Sequence, residues 1–254
     1  MVLADAELTV EVTGPVATVV IRNPDRRNAL TPAMWRQLPV LLDGLEADPA
    51  VRVLVLTGAE GTFCAGADLG SPDELLTDDL GIAVAAEERL AAFAKPTVAA
   101  IQGACVGGGC QLAVACDLRI AAEGARFGVP PARLGVVYAA PTTRRLARLV
   151  GPAATKYLLF TGDLVDAGRA LRIGLVDEVL PDAELTARVA GLTRTIADRS
   201  QLSVAAAKEI VDGRADDDRV AWWYRQMRDS GEAQEGVAAF HERRPPRFAW
   251  TRPE

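Results

Sequence analysis

The chain has 254 residues, half of them apolar and 24% charged, with a net charge of −6, enough for one well-filled α/β domain with a small helical addition. The negative balance provides no general attraction for nucleic acid or an anionic membrane, so an anionic ligand would need a local site. No apolar run reaches the roughly 18 residues of a membrane helix. The start at Met1–Asp5 lacks the basic-then-apolar order of a secretory signal, which makes the cytoplasm the expected compartment.

Along the chain, residues 8–13 and 16–22 read as two strands hinged at Gly14-Pro15. Thr31-Pro32 supplies an N-cap and a first-turn proline for a helix running to about Glu46. The β-branched run 51–57, ended by Gly58, predicts a buried parallel strand. A short strand follows at 97–101, then a glycine cluster, an apolar helix over 108–115 and a strand at 117–121. Strand–helix–strand order of this kind predicts right-handed crossovers and a largely parallel sheet. Beyond residue 140 helices dominate, over 141–150, 152–161, 166–172, 182–199, 202–213, 217–230 and 232–243, with one strand at 175–179. The pattern suggests a core over 1–200 and a helical subdomain over 201–254.

Cysteines and histidines restrict the chemistry. Cys64, Cys105, Cys110 and Cys116 form no C-x-x-C pair, and His241 is the only histidine. Zinc-ligand spacing is missing, so no metal is expected, and the cysteines read as small buried apolar residues. His241 lies in the basic stretch His241-Glu242-Arg243-Arg244, a poor setting for a Ser-His-Asp or Cys-His base. Catalysis is left to carboxylate, amide, hydroxyl, phenol or backbone groups.

Two glycine-rich turns are the most informative segments. Gly61–Leu69 follows the strand at 51–57, and Gly103–Leu112 follows the strand at 97–101. Small residues there let backbone approach a ligand closely. The second turn opens a helix, whose first N–H groups are unpaired and lie at the positive end of its dipole. Two such turns on neighbouring parallel strands can aim one N–H each at the same carbonyl oxygen, where one preorganised donor is worth roughly 3–4 kcal/mol. A dinucleotide G-x-G-x-x-G fails because Leu112 stands where the third glycine belongs, and no Lys-Ser or Lys-Thr completes a P-loop.

The segments Arg22-Asn23-Pro24, Asn28-Ala29-Leu30, Phe63–Leu69, Gly103–Asp117 and Ala238–Phe248 together resemble the crotonase (enoyl-CoA hydratase/isomerase) superfamily over nearly the whole chain. The resemblance implies a spiral ββα core, a C-terminal helical trimerisation region, and trimers that often pair into hexamers. It implies an acyl-CoA thioester as substrate, with CoA as part of the substrate and no separate cofactor. By motif position it puts oxyanion-hole amides at Ala67 and Gly108. Contacts to CoA fall at Arg26, Arg27, Ala29 and Leu30, and at Ala65, Asp68 and Leu69.

Hydratases of the family carry two glutamates that act on water as base and acid. The first position holds Gln111, in Gly109-Cys110-Gln111-Leu112-Ala113, and the second holds Pro131, in Phe127-Gly128-Val129-Pro130-Pro131. Glutamine can orient a water but cannot take its proton, and proline can do neither. Asp68 and Glu123 are nearby carboxylates, the first in the Gly-Ala-Asp turn and the second in a turn expected to face solvent. Leu134–Tyr138 resembles a stretch of methylmalonyl-CoA-decarboxylase-type crotonases, in which a phenol sits near the acyl group. Tyr138 is accordingly either a participant in the chemistry or a wall of the pocket. Arg243, Arg244, Arg247 and Arg252 are candidates for CoA phosphates or a solvated basic end. Leu75, Leu76, Leu80 and Ile82 suggest an apolar wall for the acyl group.

Three readings follow: an enzyme on acyl-CoA with non-standard acid and base groups, decarboxylation included; a non-catalytic acyl-CoA carrier; and an ordinary hydratase of fatty acyl-CoA metabolism.

Overall fold

The computed structural model describes residues 6–68 and 79–252. β1 (Glu7–Thr13) and β2 (Val16–Arg22) pair antiparallel across Gly14-Pro15. β3 (Val53–Gly58) and β4 (Thr97–Ile101) then add in parallel. After β5 (Ala104–Val106), the strands β6 (Leu118–Ala122) and, after β7 (Arg126–Gly128) and β8 (Val165–Asp166), β9 (Glu178–Leu180) complete the large sheet. Its order is β1-β2-β3-β4-β6-β9, while β5, β7 and β8 form a second, three-stranded sheet. The second sheet was not expected, because three strands of two or three residues leave no period to read.

Both faces of the large sheet are covered, which explains the continuous apolar run of β3. Leu54 and Leu56 point into the main core, and Val53 and Val55 into a second cluster under α7 (Leu185–Ala197). On the main-core side lie α1 (Pro32–Ala47), α2 (Asp79–Ala91) and α3 (Gly108–Ala115). The Thr31 side chain caps α1 by accepting from the Met34 N–H at 3.3 Å. The helix buries Met34, Trp35, Leu38, Leu42 and Leu45. α3 is buried from Gly109 to Ala115, as a helix that is apolar on nearly every side must be, with Gln111 its one polar side chain.

After α4 (Pro131–Leu134), the two helices expected over 141–161 form one element, α5 (Ala140–Thr161), kinked where Gly151 takes φ 77° before Pro152. The strand expected at 175–179 starts only at Glu178. Leu175 and Val176 are buried in the turn leaving α6 (Ala167–Arg172), so their apolar character reflects packing and not sheet pairing. The helix expected from 182 begins with a 3-10 turn at Asp182–Glu184. α8 (Gln201–Val211), α9 (Asp217–Asp229) and α10 (Glu232–Glu242) follow. Lys208 anchors α8 to the sheet, donating to Asp117 at 2.6 Å and to the Lys95 carbonyl at 3.0 Å.

Candidate active site

The site begins with two buried asparagines. Asn28 donates from its side chain to the carbonyls of Ala59 and Thr62 and accepts from the Asn23 N–H at 2.9 Å. Asn23 donates to the Ala29 carbonyl at 2.8 Å. Arg27 and Asn28 take left-handed backbone, with φ 51° and 57°, conformations that asparagine tolerates and that these bonds enforce. The result is a loop that exposes Arg26 and Arg27 while burying Ala29 and Leu30.

That loop is laced to the first glycine turn. The Ala65 N–H donates to the Arg27 carbonyl, Leu30 N–H to the Gly66 carbonyl, and Asp68 N–H to the Leu30 carbonyl, at 2.8–3.0 Å. Leu30 thus positions the turn through its backbone, since its side chain is 1% exposed. Gly66 takes φ 113° with the Val106 carbonyl 3.2 Å from where a Cβ would stand, a place only glycine fills without strain. Leu69, Leu75 and Leu76 lie outside the described residues, as does the side chain of Leu80; Ile82 packs against the main core.

The second turn lies beside the first. Cys64 and Cys105 form a parallel bridge, with the Cys64 N–H donating to the Ala104 carbonyl and the Val106 N–H to the Cys64 carbonyl. A Cβ on Gly109 would stand 2.5 Å from the Cys64 carbonyl oxygen, so glycine lets α3 pack directly on the first turn. A Cβ on Gly108 would stand 3.9 Å from the Ala67 nitrogen and 2.9 Å from Trp35. The Ala67 and Gly108 amides are therefore neighbours, with the Trp35 ring against Gly108. Among the described residues neither N–H has a hydrogen-bond acceptor.

Next to this point opens a cleft of about 440 Å³, lined by Arg27, Ala65, Val106, Arg133, Leu134 and Leu164 among others. Two residues singled out for CoA contact, Arg27 and Ala65, thus share a cleft with a second cation, Arg133. Arg244 and Arg252 are engaged elsewhere, Arg244 with Glu235 and Glu242 and Arg252 with Glu209. Glu123 is exposed, as the sequence suggested. The cysteines are inert in the way their composition suggested: burial pushes the Cys64 and Cys116 thiols up to about 12.

The side chains around the amides depart from ordinary packing. Gln111 is 1% exposed, and among the described residues neither its amide oxygen nor its nitrogen has a hydrogen-bond partner. Such a group is rare in a folded core and calls for a polar partner from outside the chain, water included. Pro131 is buried at the start of α4. The Tyr138 hydroxyl stands 3.3 Å from where a Cβ on Gly107 would be, which places the phenol at the glycine turn. Burial, with smaller contributions from Cys110 and Glu87, pushes its pKa well up and keeps it a neutral donor.

Glu87, on α2, escaped the sequence reading. Its residue is 4% exposed and its Oε2 has no partner among the described residues. Burial raises its pKa to about 8; the charge of Arg145 opposes the rise and that of Glu88 adds to it. A signal was present in the spacing. Ala83, Ala86, Leu90 and Phe93 lie on the inward face of this helical segment, and Glu87 falls on that face, four after Ala83 and three before Leu90.

Parallel strands thus carry two glycine turns that bring the Ala67 and Gly108 amides together near an open cleft. Residues 11–251 match the enoyl-CoA hydratase/isomerase family, and the chain belongs to that family, within the crotonase superfamily. A chain from Thermus thermophilus is 39% identical over 258 residues, covering 92% of this chain and 98% of its own length. The crotonyl-CoA hydratase of Syntrophomonas wolfei is 34% identical, covering 92% and 94%. A solved enoyl-CoA hydratase/isomerase family member superposes with a TM-score of 0.91 at 39% identity, covering 99% of both chains.

Proposed function

We propose that this chain binds an acyl-CoA thioester with its carbonyl oxygen between the Ala67 and Gly108 amides and catalyses a reaction through the enolate. The observation that carries this reading is the pair of neighbouring N–H groups, without acceptors among the described residues, next to the segments of Ala65 and Val106 that line the cleft. Two donors held there lower the energy of the developing oxyanion at no reorganisation cost. The cations Arg27 and Arg133 suit the phosphates of CoA, and Ala65 the pantetheine beside them. Without carboxylates at 111 and 131, water activation is not the reaction this arrangement favours.

The place of the Tyr138 hydroxyl favours one alternative, a decarboxylase-like reaction in which loss of carbon dioxide generates the enolate without a base. A non-catalytic carrier is the remaining alternative. Assembly as a homotrimer or hexamer fits the exposed apolar residues Val211, Val237 and Phe240 of the C-terminal helices. Fatty acyl-CoA metabolism in the cytoplasm is the fitting setting; among the described residues no helix is long and apolar enough to cross a membrane. Incubation with enoyl-, malonyl-, methylmalonyl- and β-ketoacyl-CoAs, read by mass spectrometry, tests the reading. Conversion of one class supports an enzyme, binding without conversion a carrier, and neither overturns the reading.

A further inference from the structure

Glu87 has none of the marks of a structural carboxylate. Arg145 of α5, the cation whose charge acts on it, bonds instead to Glu88, at 2.5 Å, while among the described residues the Arg145 Nη1 is buried without a partner. On its other side α2 meets α1, whose Asp43 and Glu46 are engaged by Arg89. Glu87 therefore stands buried, its Oε2 unpartnered among the described residues, on the helix that packs against α3, whose N-terminus carries Gly108. It acts on the charge state of the Tyr138 phenol, which in turn stands at Gly107. An unpartnered carboxyl oxygen in a core is costly, and a place beside the reacting atoms accounts for that cost.

We propose that Glu87 is the proton-transfer group of this site, exchanging a proton with the α-carbon of the bound acyl group. This rests on the acyl-CoA reading above. The carboxylate takes the α-proton, the C–H electron pair moves into the thioester, and the enolate oxygen is held by the Ala67 and Gly108 N–H groups. The Glu87 carboxyl then returns a proton to the same carbon, or to the γ-carbon of a β,γ-unsaturated chain, which shifts the double bond. No water, oxidant or second acid enters the balance. The substrate class is an enolisable acyl thioester, and the group replaces neither hydratase glutamate in position, since it comes from a different helix.

Loss of deuterium from α,α-dideuterated butyryl-, hexanoyl- and decanoyl-CoA in ordinary water, read by mass spectrometry, tests the assignment. Wild-type protein should wash out label at a rate that rises with pH and levels off above about 8. Glu87→Gln should fall by at least about 100-fold and lose that pH dependence while keeping its thermal shift with the same thioesters. Glutamine matches the neutral carboxyl in shape, so the fold should persist. Glu87→Asp should retain part of the exchange and its pH profile. Equal washout by wild type and Glu87→Gln overturns the assignment and leaves the acyl-CoA reading standing; so does binding without washout in the wild type. Loss in both variants together with a lowered melting temperature marks a packing role and likewise overturns it. Failure of all three thioesters to bind overturns the acyl-CoA reading itself.

Discussion

On the proposed function, the turns at 64–68 and 103–108 act through backbone N–H groups, whereas the groups offered by α2, α3 and α4 are side chains, with Gln111 and Pro131 among them. The backbone region depends on glycine conformation and strand pairing, and a change at Gly66 or Gly109 would strain the fold itself. The side-chain region can change with little structural cost, because Gln111 fills the volume of a glutamate and Pro131 opens a helix as a first-turn residue should.

The sharpest break of this comparison is hydration. If the side-chain region has left water activation behind, crotonyl-CoA hydration should be slower by about 10²–10⁴-fold than in a relative carrying both glutamates, the contribution of positioned acid–base groups. Gln111→Glu alone should not restore it, since Pro131 leaves the second proton unhandled. A spectrophotometric assay showing hydration comparable to such a relative would place a working water-activating carboxylate in the site.

The backbone region is tested by removing one donor. Gly108→Pro, the obvious choice from sequence, would drive a ring into Trp35, because even a Cβ there would stand 2.9 Å from it. Ala67→Pro removes an N–H where a Cβ already exists. It should lower kcat on any accepted thioester by about 10²–10³-fold, with CoA binding retained in a thermal-shift assay. An unchanged kcat in a folded variant would mean that Ala67 is not a donor.

What was legible in the sequence follows the same division. The hinge at Gly14-Pro15, the cap at Thr31, the buried run of β3 and the two turns are local signals, written in residues that admit few other conformations. β5, β7 and β8 were not legible because pairing between strands so short is decided by neighbours distant in sequence. Glu87 was passed over for a different reason. Its role depends on which face of α2 meets α3, and a family pattern directs attention to fixed positions, where this chain has none of the expected carboxylates.

Glu87 also gives the comparison a thermodynamic handle. Its folded pKa, about 8 against an ordinary 4.5, means that between those limits the unfolded chain binds fewer protons than the folded one. Stability contributed by this group therefore falls as pH rises from about 4.5 to about 8 and is flat above, with a slope of at most about 1.4 kcal/mol per pH unit. Urea melts of wild type and Glu87→Gln should differ by that slope. Parallel curves across the window would show that the carboxyl is ionised in the folded state at neutral pH.

The smallest expected effect concerns Tyr138, which sits where the two regions meet. Its hydroxyl stands at Gly107, yet among the described residues it makes no hydrogen bond, so the folded chain does not depend on it for polar satisfaction. Tyr138→Phe should leave the melting temperature within about a degree or two, as the loss of an unbonded hydroxyl costs little. If the phenol donates to the acyl group or to a leaving carboxylate, kcat should fall by about tenfold, the worth of one neutral hydrogen bond at a reacting centre. KM should change less, because the bond strengthens as charge develops and not on binding. Equal kcat in the two proteins would return Tyr138 to the wall of the pocket and leave the proton chemistry of the side-chain region to Glu87 alone. A fall larger for malonyl-type thioesters than for simple acyl chains would instead tie the phenol to decarboxylation.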